Sequence, residues 1–312
     1  MACAYERLES KSKRSDLGAW RKSAIPLVAE PVAPIDRPAD LDARRAELER
    51  IMDEMGRVIV AFSAGVDSTL VLKVAYDRLG DNALGVTAVS PSLPQAELQE
   101  AVELAKLIGA RHLLLETHEL DNPNYAANPI NRCYYCKAEL YTGLTELAKR
   151  EGYRYILNGA NLDDVGDYRP GEQAAREFHV RSPLREAGMT KAHVRALARE
   201  LGLPNWNKPA MACLSSRLPY GTPVTRKALS QVERAESYLR GLGFRQLRVR
   251  HHGDLARIEV ERADLPRLIE LGAEIHAALK QIGYTYVTAD LLGFRSGSLH
   301  EVLKAQGNGT TG

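Results

Sequence analysis

Hydrophobic and polar positions change their spacing several times along this chain. Residues 1–40 keep no sustained period. Their stretch "SKSKRSDLGAWRKSAIPLVAEPVAPIDRPAD" mixes Pro, Lys and Arg and reads as a disordered extension, which also contains Cys3. From Leu41 the pattern becomes regular. It predicts a helix over Leu41–Met55, a strand over Val58–Phe62, a helix over Ser68–Leu79 and a buried strand in "ALGVTAVS". In "PQAELQEAVELAKLIGA" the apolar residues Leu98, Ala101, Val102, Ala105 and Ile108 recur at helical spacing. A strand in "HLLLET", a helix over Lys137–Glu151, a strand in "YRYILNGAN" and a short helix over Thr190–Leu201 complete the run.

Strands that alternate with helices predict an α/β fold with a doubly wound parallel sheet, here over residues 41–202. A Pro-rich linker over 203–224 follows and carries Cys213. The remainder, 225–305, reads as a smaller α+β domain in the order αββαβ. Its elements are a helix over Thr225–Leu242, strands over Phe244–His251 and Leu255–Glu261 about a turn at Gly253-Asp254, a helix over Leu265–Ile282 and a strand over Tyr284–Thr288. We assign that domain substrate binding and oligomerisation. No internal repeat is visible.

Bulk properties narrow the classes of function. A 312-residue chain with 45% hydrophobic residues can bury a full core. Its net charge of +2 argues against a protein that grips nucleic acid along its backbone. No apolar run reaches the length of a membrane span, and the basic N-terminus lacks the apolar segment of a secretory signal. Four cysteines, two of them spaced Cys-x-x-Cys, point to a reducing compartment, and hence to the cytoplasm, with metal or redox chemistry.

The most informative stretch is "RVIVAFSAGVDSTLVLKVA". An apolar strand stops at Ser63-Ala64-Gly65-Val66-Asp67-Ser68, and an apolar helix follows. Such a turn points backbone N–H groups and a helix N-terminus at one place, which suits a phosphate. The Gly-Lys-Ser/Thr of a Walker loop is missing, so no lysine of the loop reaches a terminal phosphate. Ligands of doubly wound sheets bind at the carboxyl ends of the strands. Ser63–Ser68, Ser90 and the segment 158–164 all follow predicted strands and can share one pocket.

The cysteines leave three readings open. Cys133 and Cys136 in "NRCYYCKAEL" and Cys213 in "KPAMACLSSRLPYG" could hold a structural zinc completed by His251 or His252. They could hold a [4Fe-4S] cluster with one iron left without a protein ligand. Alternatively, Cys213 acts alone as nucleophile or sulfur donor.

Ser63-x-Gly65-x-Asp67-Ser68 resembles the SGGxDS loop of the PP-loop ATP pyrophosphatases, with Ala64 in place of the second glycine. That family cleaves ATP between the α- and β-phosphates and makes an adenylated intermediate, which explains a loop without lysine. The order of "RCYYCK", "NGANLDD", "RSPLREAG", "KPAMACLSSRLPYG", "RVRHHGDLARIE" and "DLLGFRSGS" behind it narrows the likeness. From about Leu41 to Leu303 the chain resembles the ATP-dependent sulfur transferases that build the nickel-pincer cofactor of lactate racemase.

The resemblance implies a substrate, pyridinium-3,5-biscarboxylic acid mononucleotide, whose carboxylates are adenylated and converted to thiocarboxylates. One branch of that family sacrifices the sulfur of a single cysteine, matching Cys213 here. Another holds a [4Fe-4S] cluster on three cysteines. The set Cys133, Cys136 and Cys213 resembles the cluster branch, fed by sulfide or another sulfur donor.

Residue roles follow as expectations. Ser63, Ala64, Gly65, Val66, Asp67, Ser68, Ser90, Gly159 and Asp164 would hold ATP, with Mg²⁺ on Asp67 or on Asp163 and Asp164. Arg248 and Arg250 alternate on a strand, so both guanidiniums share one face and suit the substrate's phosphate, although a solvated strand face has the same pattern. Ser215, Ser216 and Arg217 lie close enough to Cys213 in sequence to hold the substrate near sulfur. Competing functions are tRNA thiolation, an ammonia-using amide ligase, and a nucleotide-binding protein with structural zinc. A homo-oligomer is compatible with each.

Overall fold

The computed structural model describes residues 37–164, 170–295 and 298–300. Nearly all of the predicted extension, with Cys3, lies outside these residues, as does the end of the chain from Glu301.

Helix α1 (Leu41–Met55) leads into β1 (Val58–Ala61), then α2 (Val66–Leu79), β2 (Ala83–Val89), α3 (Gln95–Ile108) and β3 (Arg111–Glu116). A one-turn helix α4 (Pro123–Ala126), the long α5 (Arg132–Glu151) and β4 (Tyr155–Leu157) follow. Three further helices, α6 (Pro170–Glu177), α7 (Pro183–Glu186) and α8 (Lys191–Glu200), close this part. The four strands form one parallel sheet in the order β3-β2-β1-β4. The chain steps from β1 outward to β2 and β3, then returns to the other side of β1 with β4. A doubly wound sheet opens a crevice at such a reversal, and here it lies beyond the carboxyl ends of β1 and β4.

Both faces of the sheet are covered. One cluster joins Leu48 and Met52 of α1, Leu70, Val71 and Val74 of α2, and Leu197 of α8 to Val58 and Val60. The other joins Leu140, Leu144 and Leu147 of α5 to Ile59, Leu84 and Val86. Alternate residues of β1 therefore feed opposite layers, as the two-residue period of a strand requires.

The second part contains α9 (Arg226–Gly241), β5 (Leu247–His252), β6 (Leu255–Val260), α10 (Leu265–Glu270), α11 (Gly272–Ile282) and β7 (Tyr286–Ala289). Strands β5 and β6 pair antiparallel, and β7 pairs parallel to β6. The single helix expected over 265–282 is two helices that part at Leu271 and Gly272. The linker binds the two parts through its own small core, in which Leu214, Leu218 and Val224 pack with Tyr125, Leu229 and Val232.

Candidate active site

The phosphate loop lies at the crevice. Gly65 is extended and starts α2, two residues earlier than the pattern predicts. The N–H groups of Val66, Asp67 and Ser68 have no acceptor among the described residues, as the first turn of a helix dictates. Open amides at the start of a helix are able to take an anion. The hydroxyls of Ser63 and Ser68 lie 3.2 Å apart, and Ser68 also donates to the Gly65 carbonyl.

Ala64 adopts a left-handed conformation, φ 57°, where a glycine is normally used. Its fully buried methyl packs in the core, and its carbonyl accepts from Asn205 Nδ2 at 3.0 Å. The loop shape therefore survives the substitution, because Asn205 and the core hold it from behind. Gly159 is required for a related reason. A Cβ there would sit 2.8 Å from the Ser68 nitrogen and 3.0 Å from the Asp67 Cβ. Its close approach is to the start of α2.

Asp67 is held at both oxygens. Asn161 Nδ2 donates to Oδ1 at 3.0 Å, and Lys191 Nζ donates to Oδ2. Asp163 accepts the backbone N–H of Lys191 at 2.9 Å, and Asp164 accepts that of Asn161 at 3.0 Å. Both carboxylates thus order the turn after β4. Asp67 is a hard oxygen donor beside the open amides, which fits a Mg²⁺ ion carried by ATP. Ser90 bonds Ser92 at 2.8 Å and donates to Glu119 at 2.5 Å. Glu119 is buried, and its Oε2 has no partner among the described residues.

The sulfur residues are tied to the segments that follow β2 and β3, through Ser92 to the Cys213 loop and through Glu119 to Cys136. Cys133 and Cys136 were expected in a turn before a helix. They stand instead in the first turns of α5, three residues apart on one side of it. The three thiols are free, and Cys213 lies close enough to Cys133 and Cys136 to raise both. Burial pushes Cys136 up to about 12, with Glu119 and the other two thiols adding to it. Cys133 shifts upward too, through desolvation and then Cys213. Two cations attend them. Burial opposes the Lys137 ammonium, yet Tyr141 and the three cysteines outweigh it and raise its pKa. Arg132 is buried, donates to Asn128 and bonds the Ser215 carbonyl at 3.0 Å. Among the described residues no three His, Cys, Asp or Glu side chains are gathered as a ready set of metal ligands.

The loop of Cys213 is fastened from both parts of the molecule. Leu214 N–H donates to the Ser92 carbonyl at 2.9 Å, and Tyr125 shares a 2.7 Å hydrogen bond with Ser215. Arg217 was expected to face substrate. It is almost fully buried, forks onto Glu236 at 2.8 and 3.1 Å, and donates to the carbonyls of Ala212 and Cys213. Burial would raise the Glu236 carboxyl, but Arg217 and Arg240 outweigh it and hold it below its ordinary value. Ser216 bonds the Cys213 carbonyl at 2.8 Å through its hydroxyl.

Arg248 and Arg250 do share a strand face, but their surroundings differ. Arg250 is buried and forks onto Glu259 at 2.9 and 3.0 Å. It also donates to the Ser216 carbonyl at 2.8 Å and to Ser298 at 2.6 Å. Arg248 is half-buried and lies over the Phe294 ring at 4.6 Å, with no hydrogen bond or ion pair among the described residues. Burial, then Arg250 and Arg217, lower its pKa to about 10. A desolvated cation next to two others is a place for an anion. The other half of the zinc reading also finds no support here, since His251 bonds Tyr284 at 3.1 Å within the smaller domain.

Sequence reasoning missed Lys191, Asn161, Asn205, Glu119 and Lys137. Lys137 was legible as the charge directly after Cys-x-x-Cys. The others act across long sequence distances and leave no local pattern.

Comparison with known proteins matches this geometry to a family. No family model matches the chain. A synthase from Lactiplantibacillus plantarum, pyridinium-3,5-bisthiocarboxylic acid mononucleotide synthase, is 43% identical over 270 residues, covering 86% of this chain and 98% of that protein. The chain belongs to the pyridinium-3,5-bisthiocarboxylic acid mononucleotide synthase family. An uncharacterised protein of Synechocystis sp. is 50% identical over 266 residues, 84% of this chain and 99% of that protein. A tRNA-specific 2-thiouridylase of Xanthobacter autotrophicus is 31% identical over 194 residues, 49% of each chain. The synthase family thus sits within the wider group of PP-loop ATP pyrophosphatases. Among the described residues no helix is long and apolar enough to cross a membrane.

Proposed function

We propose that this chain is an ATP-dependent sulfur transferase. It adenylates the carboxylates of pyridinium-3,5-biscarboxylic acid mononucleotide and converts them to thiocarboxylates for the nickel-pincer cofactor. The observation that carries this reading is the 43% identity to the Lactiplantibacillus plantarum synthase across nearly its whole length. The geometry supports it, because the open amides of α2 follow β1, and the Cys213 loop is hydrogen-bonded to Ser92 just beyond β2, the neighbour of β1 in the sheet.

A carboxylate is a poor electrophile, since its leaving group is oxide. The amides of Val66, Asp67 and Ser68, with the Ser63 and Ser68 hydroxyls, bind and orient the phosphates of ATP. Asp67 holds the accompanying Mg²⁺. Transfer of AMP to the substrate carboxylate supplies a good leaving group. Sulfur from the cysteine site then attacks the acyl carbon and expels AMP. Arg248 holds the substrate's phosphate. Arg217 and Arg250 act one step back, by fixing the backbone of Cys213 and Ser216.

Three soft thiolates with Lys137 and Arg132 beside them fit an anionic iron–sulfur group. Cys133, Cys136 and Cys213 would hold it. Such a [4Fe-4S] cluster would supply a transferable sulfide from an iron that has no protein ligand. Sulfide or another sulfur donor recharges the site.

The test is turnover of anaerobically prepared protein with ATP, the mononucleotide and sulfide, followed by mass spectrometry of nucleotides, pyridinium product and intact protein. AMP, pyrophosphate and a thiocarboxylated product are expected, with Cys213 unchanged. Dehydroalanine at position 213 would instead make Cys213 the sacrificial donor.

A further inference from the structure

The loop lacks a lysine of its own, yet an ammonium reaches it from another part of the chain. Lys191 is the first residue of α8, and its Nζ donates to the Asp67 carboxylate from 124 residues away. Its position is set independently of that contact. Thr190 caps α8 in a box with His193, and Asp163 accepts the Lys191 N–H. Asn161, from the same turn as Asp163, takes the other Asp67 oxygen. Three segments therefore meet at one carboxylate next to the open amides. The Lys191 and Asp67 side chains keep 30% and 23% of their exposure, so the pair stands open to ligand.

The other nearby lysine cannot serve in this way. Lys208 is nearly buried and is neutralised by Glu97 and Glu100, each at 2.7 Å. Its remaining contact is with the Ala64 carbonyl at 3.5 Å. Lys208 braces the back of the loop. Among the described residues Lys191 has a single carboxylate as its partner, and that carboxylate is the one a divalent cation would take.

We propose that Lys191 is the cation the loop lacks: it holds Asp67 until Mg²⁺ claims that carboxylate, then turns to the pyrophosphate leaving group. The proposal rests on the reading that this loop cleaves ATP between the α- and β-phosphates. In that step a substrate carboxylate oxygen bonds to the α-phosphorus. The bond from the α-phosphorus to its bridging oxygen breaks, and the electron pair leaves on pyrophosphate without any proton transfer. Negative charge therefore grows on the β-phosphate. One carboxylate cannot neutralise an ammonium and a divalent cation together, so the incoming cation repels Nζ. A lysine ammonium on its flexible stem reorients readily, and the phosphates at the N-terminus of α2 become its nearest anions.

The exchange predicts two effects of opposite sign. In Lys191→Met the carboxylate loses a competitor, while the leaving group loses a counter-charge. Single-turnover pyrophosphate release should fall about a hundredfold or more, the scale for removing one preorganised electrostatic group. Mn²⁺ binding, followed by electron paramagnetic resonance with a non-hydrolysable ATP analogue, should be equal or tighter. A release rate equal to wild type overturns the proposal. Slower release together with weaker Mn²⁺ binding also overturns it, because Lys191 would then merely prop Asp67. Should Lys191→Met fail to fold, Lys191→Gln keeps a hydrogen bond to Asp67 without the charge and is judged by the same two readouts. ADP from the wild-type protein would refute the α–β reading itself. Pyrophosphate from wild type and variant alike, at one rate, refutes only the role of Lys191.

Discussion

The phosphate loop and the Cys213 loop are built in opposite ways. In the first, the donors of α2 are left unpaired and only the shape is fixed, by Asn205 behind Ala64 and by Gly159 against Ser68. In the second, nearly every strong donor is already engaged. Arg217 and Arg250 are consumed by Glu236, Glu259 and the carbonyls of residues 212, 213 and 216. The contrast shows where to look for ligand-binding groups. In the first loop they are the groups that folding leaves open. Around the second, Arg248 is the arginine without a hydrogen bond or ion pair among the described residues, and its neighbours are scaffolding.

The sharpest way to break this comparison is at Asp67. Asp67→Ala should cut pyrophosphate formation by about a thousandfold, since on the proposed reading this carboxylate would hold the Mg²⁺ that orders the phosphates. The melting temperature should stay near wild type, because Asp67 is partly exposed in the first turn of α2 and lies outside the apolar core. Quench-flow release of pyrophosphate and a thermal melt measure the two.

Around Cys213 the expectation reverses. Arg217→Ala or Arg250→Ala leaves a buried carboxylate, Glu236 or Glu259, with only the more exposed Arg240 or Arg257 as its arginine partner, and should cost about 3 kcal/mol of stability in denaturant titrations. Arg248→Ala strands nothing. It should leave stability within about 1 kcal/mol while weakening the mononucleotide, and not ATP, by about 1.5–3 kcal/mol in calorimetric titrations. Equal behaviour of the three arginines would erase the distinction between binder and scaffold.

Acid sharpens the same contrast. The folded-state pKa of Glu236 lies below its ordinary value, so its contribution is present above the usual glutamate range. That contribution is lost as the pH falls through the folded value, and denaturant midpoints should drop with it. Arg217→Ala should lose much of this dependence. The smallest effect is expected at Ala64. Ala64→Gly relieves a left-handed alanine but removes a buried methyl, so stability should change by less than about 1 kcal/mol.

The sheet and its loop were legible because their causes are local. Apolar period, turn residues and a helix start lie within a few positions of one another. The helix was expected to begin at Lys137, and it begins at Arg132, so Cys133 and Cys136 fall inside it. Packing of α5 against the sheet extends the helix over them. The break at Leu271 and Gly272 was hidden because the apolar period runs on through it. Arg248 and Arg250 looked equivalent because strand alternation reports the face and not the partner. Only the fold brings Glu259 and Ser298 to one of them. Lys191 and Asp67 are likewise neighbours only through the crossing from β4 to α8.

The account divides the work, with the adenylate made at the loop and sulfur delivered from the cysteines. The most direct test is Cys213→Ala turned over anaerobically with ATP, the mononucleotide and sulfide, while pyrophosphate and thiocarboxylate are measured together. The account predicts pyrophosphate release near the wild-type single-turnover rate with no thiocarboxylated product. Thiocarboxylate formed without Cys213, or loss of pyrophosphate release in a variant that folds normally, would contradict it.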